Sequence, residues 1–234
     1  MNELSLFTGA GGGVLGTHHL LGWKTCGYVE WNEYCQRVIA ARIADGYLTS
    51  APIFTDVREF VQSGAAEQYR GVADVVTGGF PCQPFSHAAR GRNVAQDLWP
   101  WMLRVISAVR PPYVLAENVA GSRGIWTGVR RDLETQGYRV CGPLRLGSSD
   151  VGGPDIGSRF WMVAEADENG QSMLPVNDEA SGVQKPFGAG SWWRADPRSM
   201  GVADGLAYRM DRLAALGNGQ VPAVAARAWW ELAA

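Results

Sequence analysis

LSLFTGAGGGVLGTHHLLGWKTCGYVEW, residues 4–31, is the stretch whose reading decides the fold. LSLF (4–7) is a short apolar run of strand length, and TGAGGG (8–13) is a glycine-rich tight loop. Val14 to Leu21 carries helical apolar spacing, and TCGYVEW (25–31) reads as a second strand. Two strands separated by a helix are the opening of a parallel sheet, because parallel neighbours need a crossover between them.

The same alternation continues outward. Glu33 to Ala44 reads as a helix with Cys35, Val38, Ile39 and Ile43 on one face, and ADVVTGG (73–79) as a third strand. A helix follows Asp97, a good N-cap, and runs to about Val109 with Pro100 in its first turn. PYVLAEN (112–118) is a fourth strand, Thr127 to Gln136 a helix, and YRVCGPLRL (138–146) and SRFWMVAE (158–165) two further strands. The expected fold is α/β, a Rossmann-like, doubly wound, mostly parallel sheet. Periodicity fails from Ala166 to about Asp204, then returns as helices over Tyr208–Leu216 and Pro222–Leu232 around the break GNGQVP (217–222). The division is therefore 1–165 for the main domain, 166–204 for an inserted region and 205–234 for closing helices.

Bulk properties exclude several classes. The longest apolar runs stop far short of the ~20 residues that span a bilayer, so no membrane partner is expected. MNELSLF lacks the basic and apolar regions of a secretory signal, which implies a cytoplasmic protein. Cys26, Cys35, Cys82 and Cys141 show no C-x-x-C spacing and do not cluster with His18, His19 and His87, so neither a metal nor a disulfide framework is expected. Cys26, Cys35 and Cys141 lie among apolar neighbours and read as small buried hydrophobes. A net charge of -2 does not advertise a nucleic-acid partner. The 21 basic residues, however, include only two lysines, Lys24 and Lys185, and several arginines gather between Arg90 and Arg131. Arginine is the better fork for phosphates and base edges, though a GC-rich genome gives the same bias.

Two loops carry chemistry. Glycines at the mouth of the first helix let the backbone approach a nucleotide-like ligand, and Glu30 at the end of the second strand stands where doubly wound folds place an acid on ribose hydroxyls. Trp31 beside it suits an adenine ring. GGFPCQPFS (78–86) follows the third strand directly, which presents Cys82 between two prolines at the carboxyl edge of the sheet. ENV (117–119) ends the fourth strand and brings a carboxyl group to that edge, a pairing suited to nucleophilic attack with proton donation.

Taken together, FTGAGGG, YVEW, FTDVR, GFPCQPFS, LAENV and ALGNGQVP resemble, in order and spacing, the motifs of bacterial and phage DNA cytosine C5-methyltransferases. The resemblance covers nearly all of the chain outside about 166–203. It implies the class I S-adenosylmethionine-dependent methyltransferase fold, double-stranded DNA as partner, S-adenosylmethionine as cofactor with S-adenosylhomocysteine as product, and no metal. Cys82 would add to C6 of a flipped-out cytosine, Glu117 would hold and protonate N3, and Asn118 would brace the loop. Phe7, Gly9, Ala10, Gly11, Glu30, Trp31, Asp56, Val57, Pro81, Leu98 and Asn218 would form the cofactor site, with the C-terminal helix returning to the first strand. It carries no implication about oligomeric state.

Two departures stand out. The segment before the last strand reads PDIGSR (154–159), so of the family's Gln-x-Arg-x-Arg motif only the last arginine, Arg159, remains. Arg159 would have to do alone what two arginines usually share, so either activity is reduced or a residue from elsewhere compensates. The inserted region, 166–204, is very small for target recognition; Trp192, Trp193 and Arg194 are its candidate DNA contacts, and a short or relaxed recognition sequence is expected. Two alternatives remain: a non-catalytic homologue that binds DNA or cofactor, and an RNA cytosine methyltransferase.

Overall fold

A computed structural model of the chain describes residues 1–81, 97–119, 124–153, 157–167 and 209–233, with the side chains of residues 209 and 212–214 excepted. Cys82, Trp192, Trp193 and Arg194, and all of the 166–204 region beyond its first two residues, lie outside the described residues.

The elements run β1 (Asn2–Leu6), α1 (Gly12–Leu21), β2 (Lys24–Val29), α2 (Glu33–Ala44), β3 (Ile53–Phe54), α3 (Val57–Gln62) and β4 (Val75–Gly79). They continue α4 (Trp99–Val109), β5 (Tyr113–Val119), α5 (Trp126–Thr135), β6 (Tyr138–Gly147), β7 (Ser158–Ala166), α6 (Arg209–Asn218) and α7 (Pro222–Leu232). α2 and α7 begin and end where the sequence places them. β3 and α3 are additions, too short to carry a period of their own; Asp56 starts α3 by accepting the Arg58 N–H at 2.8 Å. Leu98 rather than Asp97 occupies the cap position of α4, yet Asp97 Oδ1 still accepts the Trp99 N–H at 3.0 Å.

One seven-stranded sheet has the order β3-β2-β1-β4-β5-β7-β6. β1 to β5 pair in parallel, and β7 is antiparallel to both of its neighbours. The chain winds outward from β1 to β3, then restarts at β4 on the other side of β1. β1 and β4 therefore flank the switch point, where open α/β sheets bind ligands beyond the carboxyl ends of their strands.

The two faces of the sheet bury different cores. Leu4 and Leu6 of β1 join Phe60, Met102, Ile106, Val129 and Leu133 from α3, α4 and α5. On the opposite face α7 covers Leu115, Trp161 and Val163, while Val14 of α1 and Ile39 of α2 pack on Tyr28. The last helix does not return chiefly to β1, as expected from sequence, but packs on α1 and on β6 and β7. Glycines decide this: a Cβ on Gly12 would lie 2.3 Å from the Gln220 carbonyl oxygen, and one on Gly16 2.1 Å from that of Pro222. With no side chains in the way, α1 and the segment leading into α7 meet backbone to backbone.

Strand alternation turns Glu3 away from Leu4, into the face covered by α1. Its carboxyl is 1% exposed and accepts hydrogen bonds from the Thr17 hydroxyl at 2.5 Å and the Thr77 hydroxyl at 2.7 Å. Burial pushes this carboxyl above the ordinary 4.5, an effect the two hydroxyls only partly offset. Its contribution to stability is thus complete below pH 4.5 and is lost as pH rises through the folded value. Glu3→Gln keeps the shape and removes the titration. In urea denaturation the variant's advantage over the parent should grow from pH 4.5 upward; a constant difference across that range would show that Glu3 does not titrate on unfolding.

Candidate active site

The glycine loop leaves β1 through a residue that is not glycine. Phe7 has φ 51°, in the left-handed region, followed by Gly9 at 58° and Gly11 at 88°. A left-handed phenylalanine is uncommon and costs roughly 1 kcal/mol or more, which the surroundings must hold in place. They do so on both sides: Phe7 packs against the core, and the Thr8 hydroxyl donates to Ser5 oxygens at 3.0 and 3.1 Å. A Cβ on Gly9 would meet nothing within 4 Å, so the outer side of the loop is open.

Glu30, just beyond β2, ties this loop down. Its Oε2 accepts the Gly9 N–H at 2.6 Å and its Oε1 the Asn32 N–H at 2.7 Å. Burial raises its pKa above the ordinary carboxylate range, and the two backbone donors offset part of that rise. The sequence leads one to expect Glu30 to hold a ligand; in the structure it also shapes the loop, each oxygen accepting one backbone N–H. Trp31 is 73% exposed beside it. Asp56 is two residues past β3, whose Phe54 carbonyl accepts the Glu30 N–H at 2.9 Å, while Val57 is buried. Phe7, Gly9, Ala10, Gly11, Glu30, Trp31 and Asp56 thus gather at the ends of β1, β2 and β3.

β4 and β5 end beside them. Asn118 Nδ2 donates to the Phe80 carbonyl at 2.7 Å, and the Leu98 N–H donates to the Pro81 carbonyl at 3.3 Å. The chain is therefore held immediately before Cys82 and where it re-enters α4. The described cysteines are elsewhere: Cys141 is buried on β6, and burial pushes the thiols of Cys26 and Cys35 up to about 11.

Glu117 is 3% exposed and fully engaged. Because β7 runs antiparallel to β5, its first residues lie at the carboxyl end of β5. Val119 pairs with Arg159 and Glu117 with Trp161, which makes Arg159 the diagonal same-face neighbour of Glu117. Arg159 Nη1 donates to Glu117 Oε1 at 3.0 Å, and Nη2 donates at 3.1 Å to each of the Gly217 and Gly219 carbonyls. Gln220 Nε2 donates to Glu117 Oε2 at 2.9 Å, a contact the sequence reading missed. Asn218 is exposed at the end of α6, between the two glycines whose carbonyls Arg159 holds.

Arg159 is a clamp between β5 and the α6–α7 turn. Arg159→Ala would strip one donor from a buried carboxylate and release two carbonyls. The expected loss is about 2–4 kcal/mol, or roughly 5–10 °C in melting temperature. An unchanged melting temperature would show that the clamp bears no load.

Comparison with known proteins bears on this arrangement. The family model described as C-5 cytosine-specific DNA methylase matches residues 1–191. The Type II methyltransferase M.AquIA of Picosynechococcus sp. is 33% identical over 178 residues, covering 68% of this chain and 70% of that protein. The Type II methyltransferase M.PspPI of Psychrobacter sp. is 31% identical over 145 residues, covering 58% of this chain but 33% of that protein. Among solved structures, a DNA modification methyltransferase encoded within an E. coli prophage superposes with a TM-score of 0.58 at 26% identity, over 77% of this chain and 50% of that one. DNMT2 of Spodoptera frugiperda, at 17% identity and a TM-score of 0.59, shares the fold.

Proposed function

Since the chain belongs to the C-5 cytosine-specific DNA methylase family, we propose that it transfers a methyl group from S-adenosylmethionine to C5 of a cytosine flipped out of double-stranded DNA, through a covalent Cys82–C6 adduct. The observation that carries this reading is the ion pair of buried Glu117 with half-buried Arg159 at the carboxyl edge of the sheet, directly beside the strand that leads into Cys82.

Each residue has a chemical reason. C5 of cytosine is unreactive until a nucleophile adds at C6, and the Cys82 thiolate makes that bond. The electron pair displaced toward N3 needs a proton, which Glu117 supplies while Arg159 keeps its carboxyl in place. When bound, S-adenosylmethionine supplies the electrophilic methyl that C5 takes up, leaving S-adenosylhomocysteine. Loss of the C5 proton to solvent, return of the N3 proton to Glu117 and expulsion of the Cys82 thiolate as the C6–S bond breaks then restore the ring. The cofactor fits the residues present: an open glycine loop at Gly9, the Glu30 carboxylate for ribose hydroxyls and the exposed Trp31 for adenine. Asp56, Val57, Pro81, Leu98 and Asn218 complete that site, and Asn118 braces the nucleophile's loop through Phe80. No step requires a metal.

We assign target recognition to 166–204, the catalytic and cofactor domain to 1–165 and the closing helices to 205–234, and place the protein in the cytoplasm of a bacterial or phage-infected cell. No helix among the described residues is long and apolar enough to cross a membrane. The test is to incubate the protein with labelled S-adenosylmethionine and either duplex DNA or RNA, then identify the labelled base. 5-Methylcytosine in DNA is expected. Label confined to RNA would move the substrate, and label in neither would leave a cofactor- or DNA-binding homologue.

A further inference from the structure

We infer that Gln220 is a positioning residue that fixes the second oxygen of Glu117. The inference rests on the methyltransferase reading. It begins from a deficit: Arg159 reaches only Oε1 of Glu117, and a buried carboxylate with one oxygen unheld is both costly and free to rotate. Gln220 Nε2 holds Oε2 at 2.9 Å, so the carboxylate is gripped from two directions by residues far apart in sequence.

The surroundings are built to admit this side chain. A Cβ on Gly79, at the end of β4, would lie 2.4 Å from Glu117 Oε2 and 2.9 Å from Gln220 Nε2. A Cβ on Gly13, in the first turn of α1, would lie 2.0 Å from Gln220 Oε1. The amide therefore runs between two bare backbones, with its oxygen against α1 and its nitrogen on the acid. Its main chain is held as well, since the Gln220 carbonyl lies against Gly12 and the Gly219 carbonyl accepts from Arg159. Both glycines make room for the Gln220–Glu117 contact.

The test is a double-mutant cycle read in two ways. Gln220→Met keeps length and bulk but removes the donor, and Glu117→Ala removes what it acts on. In single-turnover methylation of duplex DNA, Gln220→Met should slow transfer about 10- to 100-fold, the worth of one hydrogen bond to a charged group. In the Glu117→Ala background it should slow residual transfer by no more than about twofold. A purely structural role predicts instead the same fractional loss in both backgrounds, and that result would overturn the inference, as would full activity of Gln220→Met. The same four proteins are unfolded in urea, where non-additivity between positions 117 and 220 is expected and strict additivity would deny the contact. This readout holds whether or not the protein methylates DNA, so a parent inactive on DNA would count against the methyltransferase reading while the urea cycle still judged Gln220.

Discussion

Cys82→Ala should abolish methyl transfer, with a loss on the order of 10⁴-fold or more, while leaving cofactor affinity unchanged. A covalent mechanism without its nucleophile has no slower version of the same path, because C5 cannot take up the methyl until C6 has been attacked. Nor can another described thiol replace it. Cys26 on β2 and Cys35 on α2 have thiols held protonated by burial, with values of about 11, and Cys141 is 2% exposed on β6. The nucleophile is the thiolate, which Cys26 and Cys35 do not provide at neutral pH, and Cys141 is closed off inside the sheet's second core. Substantial residual transfer by Cys82→Ala, measured under single-turnover conditions with saturating DNA, would mean a different mechanism.

Glu117→Gln should lower the transfer rate about 10²- to 10⁴-fold with cofactor and DNA affinity retained. The amide keeps the size of the acid and still accepts from Arg159, but it has no proton to give to N3. The variant also leaves the Arg159 guanidinium, 19% exposed, facing a neutral partner, so a moderate drop in melting temperature accompanies the kinetic loss. A rate that stays close to the parent's would remove Glu117 from the chemistry and leave the pair with Arg159 as a structural bridge alone.

The parallel core of the fold was readable because its signals are local. LSLF, the glycine loop, TCGYV and the helix from Glu33 to Ala44 each announce themselves within a few residues, and α2 appears between the residues expected. β3 and α3 were invisible, since strands and helices of that length carry no period. The placement of α7 was legible only as an intention to return; the glycines that send it to α1 look like loop glycines until their distances to Gln220 and Pro222 are known.

The site shows the same division. Glu117 and Arg159 were named from their motifs, but the antiparallel pairing that puts Arg159 diagonally across from Glu117 is a property of the sheet and not of either motif. Glu30 was legible as an acid at a strand end, whereas its grip on the Gly9 N–H depends on a loop closing across 21 residues. Gln220 carried only the faint signal of a polar residue beside Val221 and Pro222 in the turn that was read for Asn218. A side chain whose partner is 103 residues away declares itself only when the chain is folded.

The most direct test of the central claim is covalent trapping. The protein is incubated with S-adenosylmethionine and duplex DNA carrying 5-fluorocytosine, whose C5–F bond blocks the final elimination, and the product is run under denaturing conditions. A denaturation-resistant protein–DNA adduct, absent from Cys82→Ala, is the predicted result. An adduct that survives Cys82→Ala, or methylation of ordinary cytosine with no adduct on the fluorinated base, would contradict it.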